Sequence, residues 1–311
     1  LVVGHGFVCF ERNDELVAVD PATGALLWAR DDMPKGIDLF GDARFVFVVS
    51  AEGGNEARVL SSLDGREVGR RKLPPRSDWL AAIGRRLLVS ELRGQSRRVR
   101  LVDVWTGNAA WERECSAQAH VCLVRPGNVA ALDSDGRFAA WHAESGQVVM
   151  EARLDVPPAV EQVYAEPCGT DLLVLVNSPP EAVGPRVPVH SIAPAVNANG
   201  RLFRVARDGS TLWYADILDQ QLELDLPSDL PVLLLGKHRR EQVPRPQGGM
   251  TTKVEYAFQC LDKRTGMTLS EQIVEGHGQE MEIRAVDPRS GRIEVLTRPL
   301  SIQITRTKQS P

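Results

Sequence analysis

The stretch LVAVDPATGALLWAR (residues 16–30) returns in altered form as LVDVWTGNAAWEREC (residues 101–115). Asp20, Thr23, Gly24 and Trp28 in the first copy correspond to Asp103, Thr106, Gly107 and Trp111 in the second. An internal repeat constrains a fold more than local propensity does, because each copy must form the same unit and bury its faces against neighbouring copies. Related turn glycines follow at Gly65, Gly146, Gly209, Gly266 and Gly291. From Gly24 to Gly146 the markers recur at roughly 40 residues, the length of a four-stranded propeller blade.

The motif has a physical reading. An Asp side chain accepts hydrogen bonds from backbone N–H groups just ahead of it and so stabilises a turn. Gly reaches the positive φ that other residues adopt only at a cost. Together they join two antiparallel strands through a short, bulged loop. The flanks agree: ELVAVD and ALLWAR around Gly24, RVRLVDV and AAWERE around Gly107, RLFRVA and TLWYAD around Gly209. Before the hairpins come apolar runs at 45–50, 86–91, 128–133, 171–177 and 231–236. They lack clean alternation, which suits strands buried on both faces between neighbouring sheets. Weaker strands at 36–42, 79–85, 120–127 and 161–169 precede them, giving four strands per unit. Residues 1–30 hold about three strands of one unit, and residues 280–303 hold two or three. The expectation is an all-β fold: one propeller domain over residues 1–311, with about seven four-stranded antiparallel blades and six or eight as alternatives.

The A-x-D-x-x-[TS]-G-x-x-x-W pattern resembles the PQQ-like repeat of quinoprotein-type and BamB-like β-propellers. Ala18 through Trp28 match it in full, and Asp103 through Trp111 match all but the leading Ala. The resemblance implies that Trp28, Trp111 and Trp213 pack between adjacent blades. Gly69, Met150, Ser270 and Val295 occupy the equivalent positions elsewhere, so irregular packing is expected. It does not imply the quinone. Quinone-using relatives carry adjacent cysteines and a carboxylate-rich calcium site, and this sequence has no Cys-Cys pair and no such acidic cluster. The Trp-Asp repeat family competes through the GHG triplets at 4–6 and 276–278, but no strand ends in Trp-Asp.

Charge and cysteines narrow the function classes. A net charge of −4 gives no global attraction to nucleic acid or an anionic membrane, and no apolar run is long enough to span a bilayer. Cys9, Cys115, Cys122, Cys168 and Cys260 are scattered, without a C-x-x-C, and read as packed thiols with a Cys115–Cys122 bridge conceivable. The chain opens inside an apolar run without an initiator Met, which reads as a piece of a longer polypeptide with a remainder upstream.

Two repeat spacings exceed the blade length. The excess falls at 178–200 and 237–255, between the buried strand and the hairpin, on the end opposite the Asp-x-x-Thr-Gly turns. Loops on a rigid scaffold are where binding groups concentrate. The candidate partner-binding residues are His190 in the first insertion and Lys237, His238, Arg239, Arg240 and Arg245 in the second, facing an acidic protein or an anionic ligand. Residues 66–114 carry twelve Arg or Lys against six Asp or Glu, an excess that reads as solvated outer strands. An acidic run, Asp216 to Asp229, opposes them. No aromatic stacking platform accompanies the arginines, so a nucleic-acid partner is not expected.

No catalytic, cofactor-binding or metal residues are assigned. The six His lack metal-ligand spacing, and neither a G-x-S-x-G elbow nor a phosphate-binding glycine loop occurs. His142 is expected to be packed. The leading reading is a non-catalytic scaffold that binds a protein partner. By resemblance alone its setting is the periplasm or cell envelope. The alternatives are a quinoprotein-like oxidoreductase and a propeller sensing a small ligand or carbohydrate.

Overall fold

A computed structural model describes residues 1–50, 54–124, 127–179, 195–223, 230–244, 249–276, 281–287, 292–297 and 300–305. Every regular element in them is a strand apart from one 3-10 turn at Arg76–Asp78. The first sheet is β1 (Val2–Gly4), β2 (Phe7–Arg12), β3 (Glu15–Val19) and β4 (Leu26–Arg30). The N-terminal unit therefore has four strands rather than three; β1 is only three residues long and too short for a hydrophobic pattern to reveal. The second sheet is β5 (Ile37–Gly41), β6 (Phe45–Ser50), β7 (Glu56–Ser61) and β8 (Glu67–Lys72). The third is β9 (Trp79–Ile83), β10 (Arg86–Arg93), β11 (Ser96–Asp103) and β12 (Ala109–Ser116).

The next strands are β13 (His120–Val124), β14 (Asn128–Leu132), β15 (Arg137–His142), β16 (Val148–Arg153), β17 (Gln162–Cys168) and β18 (Asp171–Asn177). They continue as β19 (Ala195–Val205), β20 (Thr211–Glu223), β21 (Val232–Pro244), β22 (Met250–Asp262) and β23 (Thr268–Gly276). Their sheet order is β16-β15-β14-β13-β17-β18-β19-β20-β21-β22-β23. Two slender links make it continuous: one parallel pair, Val124 opposite Ala165, and the pairs Gln221–Gly236 and Leu222–Leu235. Those links divide it into two four-stranded units, β13–β16 and β17–β20, and a unit with three strands among the described residues, β21–β23. The last sheet is β24 (Met281–Asp287), β25 (Arg292–Thr297) and β26 (Leu300–Thr305). The fold is all-β, built from the antiparallel sheets of a β-propeller.

Two compact units share the chain. One comprises residues 1–123, 127–133 and 140–149; the other comprises 124–126, 134–139 and 150–311. In the first, Leu16, Ala18, Trp28, Val46, Val48 and Leu60 form one apolar cluster, and Phe47, Val49, Val59, Leu87 and Val89 belong to another. Neighbouring residues of β6, Val46 to Val49, thus serve two different clusters, which explains why the inner strands are apolar without alternation. In the second unit Leu173, Leu175, Leu202, Leu233 and Leu235 share a cluster.

The repeat motif acts within each hairpin and between hairpins. Asp20 Oδ1 accepts from the N–H groups of Ala22 and Thr23 at 2.8 and 3.1 Å, and Gly24 N donates to Asp20 O at 2.8 Å. Asp103 does the same for Trp105 and Thr106. The ladder slips between Ala18 and Val19, between Leu101 and Val102, and between Cys260 and Leu261, which is the bulge such turns create. The Gly209 turn differs: Ala206 N donates to Ser210 O, making it one residue shorter than Asp20 to Ala25.

The tryptophans then reach the next repeat. Trp28 Nε1 donates to Ser62 O at 2.8 Å, Trp111 Nε1 to Ala143 O at 2.9 Å and Trp213 Nε1 to Lys263 O at 3.0 Å. Each indole lies against the following turn glycine. A methyl group on Gly65, Gly146 or Gly266 would stand 2.7, 2.5 or 2.6 Å from the ring. Arg30 Nη1 and Arg113 Nη2 donate to the carbonyls of Gly65 and Gly146 at 2.8 and 2.7 Å. Thr-Gly and Trp are therefore two halves of one interlock carried by successive repeats. Where Gly69 replaces Trp, the joint is rebuilt. Arg71 lies over the Trp105 ring, 4.0 Å from its centroid, and Phe45 stacks on Trp105 at 4.3 Å between centroids.

Candidate functional site

The hairpins between the second and third strands of each unit emerge opposite the Gly turns, and both long insertions belong to this end. Residues 180–194, with His190, lie outside the described residues; the base of that insertion is a hydrogen-bonded clasp. Asn177, 5% exposed, donates from Nδ2 to Asn197 O at 2.5 Å and accepts from Asn199 N at 2.9 Å. Asn199 in turn accepts from Asp219 N and donates to Ser178 O. Gly200 follows in a bulge, where a side chain would strike Val176 O at 2.1 Å. Strand β19 starts at Ala195, so the last residues of the 178–200 insertion are strand. The Asn177–Asn199 clasp was not assigned from sequence. Its signal is the pair N-S-P-P and N-A-N-G, turn-forming residues at both mouths of the insertion.

The 237–255 insertion is a ribbon rather than a loop. Strands β21 and β22 pair without a break from Val232–Asp262 to Pro244–Met250. Strand β20 reaches β21 only as far as Gly236, and β23 reaches β22 only as far as Val254. Among the described residues, Glu241–Pro244 and Met250–Lys253 thus form a two-stranded arm. Lys237, His238, Arg239 and Arg240 are placed in β21 by their backbone register. Arg245 lies outside the described residues. Alternation puts Lys237, Arg239 and Glu241 on one face, where Arg239 is opposite Glu255 and Glu241 opposite Lys253. His238, Arg240 and Gln242 share the other, opposite Tyr256, Val254 and Thr252.

The basic stretch at 66–114 is largely occupied by internal pairs. Glu91, 5% exposed, accepts from Arg100 Nη2 at 2.5 Å and from Arg93 Nη2 at 2.8 Å. Burial opposes ionisation of Glu91, but these two guanidiniums outweigh it and hold the carboxyl below its ordinary range. Arg85 pairs with Asp103 at 2.9 Å and Arg98 with Glu112 at 3.2 Å. In the acidic run, Asp216 pairs with Arg201 at 2.7 Å; Asp225 and Asp229 lie outside the described residues.

The cysteines are free, so Cys115 and Cys122 form no bridge. Burial pushes the Cys9 and Cys122 thiols up to about 12, and Cys115 and Cys260 up to about 11. His142 is exposed, not packed. It occupies the turn position that Asp20 holds in the first repeat, with Gly146 N donating to its carbonyl and Nδ1 3.3 Å from Ser145 Oγ. Among the described residues, no three His, Cys, Asp or Glu side chains converge as a metal site, and no helix is long and apolar enough to cross a membrane.

The family model described as outer membrane protein assembly factor BamB matches residues 2–120 and 95–295. No curated protein sequence matches. Among solved structures, BamB from Moraxella catarrhalis is similar at 13% identity and a TM-score of 0.39, covering 97% of this chain and 81% of that one. The computationally designed Ika8 protein is similar at 14% identity and a TM-score of 0.37, covering 94% and 90%. Kluyvelomyces marxianus Hsv2 is similar at 12% identity and a TM-score of 0.37, covering 88% and 81%.

Proposed function

The chain belongs to the outer membrane protein assembly factor BamB family of PQQ-like repeat propellers, and on that premise we propose that it is a non-catalytic protein-interaction scaffold of the cell envelope. Its partner-binding end carries the 178–200 insertion and the β21–β22 ribbon. The observation that carries this reading is the ribbon. Among the described residues no further strand pairs with either edge of the arm, and proteins usually blunt or cover such edges. His238 and Arg240, at the base of the arm, share a face, opposite Tyr256 and Val254 in the register. An acidic, partly apolar protein segment complements that face through charge and can add to the ladder as a strand.

The test is affinity purification from a cell-envelope fraction, with the intact chain and with a variant in which residues 241–253 are replaced by Asn-Gly. The expected result is a defined set of proteins retained by the intact chain and lost with the shortened ribbon. Equal retention by both variants would contradict the assignment of the ribbon.

A further inference from the structure

The backbone register shows which edge of the ribbon is open and what it offers. Asp262 N donates to Met267 O, and Lys263 N donates to Pro231 O. Asp262 therefore directs its backbone groups towards β23, and Lys263 directs its own towards β21. Strands β21 and β22 pair without a shift, and successive residues of a strand direct their N–H and C=O groups to opposite edges. Even-numbered residues of β21 thus face away from β22, and Gly236 pairs on that edge with Gln221 of β20. His238, Arg240 and Gln242 come next on it, and among the described residues no strand pairs with them there. Pro244 closes the edge, because it has no N–H to donate. Strand β20 leaves the edge for a local reason. Asp219, two residues before Gln221, holds φ 49° and donates its N–H to Asn199 Oδ1 at 3.2 Å, a conformation that interrupts an extended strand.

We propose that an acidic, extended segment of the protein partner adds to this edge as a strand, taking the N–H and C=O groups of His238, Arg240 and Gln242. This mode of binding rests on the ribbon being the partner-binding element, and it names the edge used. Charge selects the occupant. Residues 237–255 carry five Lys or Arg against two Glu, in a chain whose net charge is −4. Like charges on facing strands are unfavourable, so the run Lys237–Arg240 disfavours a second copy of the same edge and favours a strand rich in Glu or Asp. The opposite edge is a shorter platform. Beyond Val254, which pairs with Gly276, only Thr252 and Met250 face that way.

The experiment is a calorimetric titration of the intact chain with the blocked peptide Ser-Glu-Val-Glu-Val-Glu-Ser. Two further peptides carry N-methyl groups on the Glu residues or on the Val residues, and a fourth has Lys in place of Glu. A docked strand bonds through alternate residues only. The expected result is saturable binding that weakens at least about tenfold when one alternate set is methylated, holds when the other is, and is absent with the Lys peptide. In the protein, Gln242→Pro removes one outward N–H without touching a β21–β22 bond and should weaken binding severalfold. Thr252→Pro does the same on the opposite edge and should leave binding unchanged. No saturation, equal binding of the two methylated peptides, or equal effects of the two variants overturns strand addition; the methylated peptides carry the test if either variant fails to fold. The two readings fail separately. Partners lost on shortening the ribbon but retained by Gln242→Pro overturn strand addition and leave the scaffold standing, whereas partners retained by the shortened ribbon overturn both.

Discussion

At the scale of single residues, the fold rests on a joint between two sequence signals that look independent. Trp111 has its indole against Gly146 and its N–H on Ala143 O, so Trp111→Ala removes a large buried ring and a buried hydrogen bond together. Losses of this kind cost about 3–5 kcal/mol, and urea denaturation should show that destabilisation. Arg71→Ala removes the cation over Trp105, worth about 1 kcal/mol, together with the hydrogen bond from Arg71 Nε to Trp105 O. The joint also shows where the sequence was readable. Asp-x-x-Thr-Gly with Trp announces itself by spacing. The Phe45–Trp105–Arg71 stack does not, because its members come from three different hairpins and follow no period. Glu91 has a pH signature. Its folded pKa lies below the unfolded value of about 4.3, so its contribution is present above that pH and is lost as pH falls through the folded value. Glu91→Gln should cost about 1–3 kcal/mol at neutral pH and flatten the acid limb of stability measured by denaturation between about pH 5 and pH 3.

At the scale of elements, the strands legible from sequence were those with long apolar runs, such as β6, β10 and β18. Strand β1 escaped because three residues carry no pattern. The ribbon escaped for a different reason. KHRREQVPRPQGG is polar and contains two prolines, which reads as a loop, yet the backbone ladder runs through Lys237–Pro244. Pro244 sits at the last pair, where a missing N–H costs the ladder least. The tip adds little to the core, because Glu241–Lys253 has no third strand among the described residues. Replacing residues 241–253 by Asn-Gly should therefore leave Tm within about 2–4 °C of the parent, as read by thermal melting. Asn177→Ala should act oppositely. It leaves Asn199 N without its acceptor, costs about 1–3 kcal/mol, and should speed amide exchange at Asn199 and Gly200.

At the scale of the whole molecule, repeats and family agree on a propeller, and the two departures in repeat length are the insertions. Function was less legible than fold. The motif residues serve packing, and the candidate binding residues follow no spacing rule; their arrangement comes from strand register. A scaffold requires no quinone, so titration with pyrroloquinoline quinone and Ca²⁺ should produce no saturable quenching of tryptophan fluorescence. Saturable quenching would favour the oxidoreductase alternative. The most direct test uses the two ends of one strand. A photo-crosslinking amino acid replaces exposed Met250 at the ribbon end of β22 or exposed Arg264 in the turn beyond its other end. In cells of the source organism, discrete protein adducts are expected from position 250 and not from position 264. Adducts only from position 264, or none from either, would contradict a scaffold that binds through its ribbon.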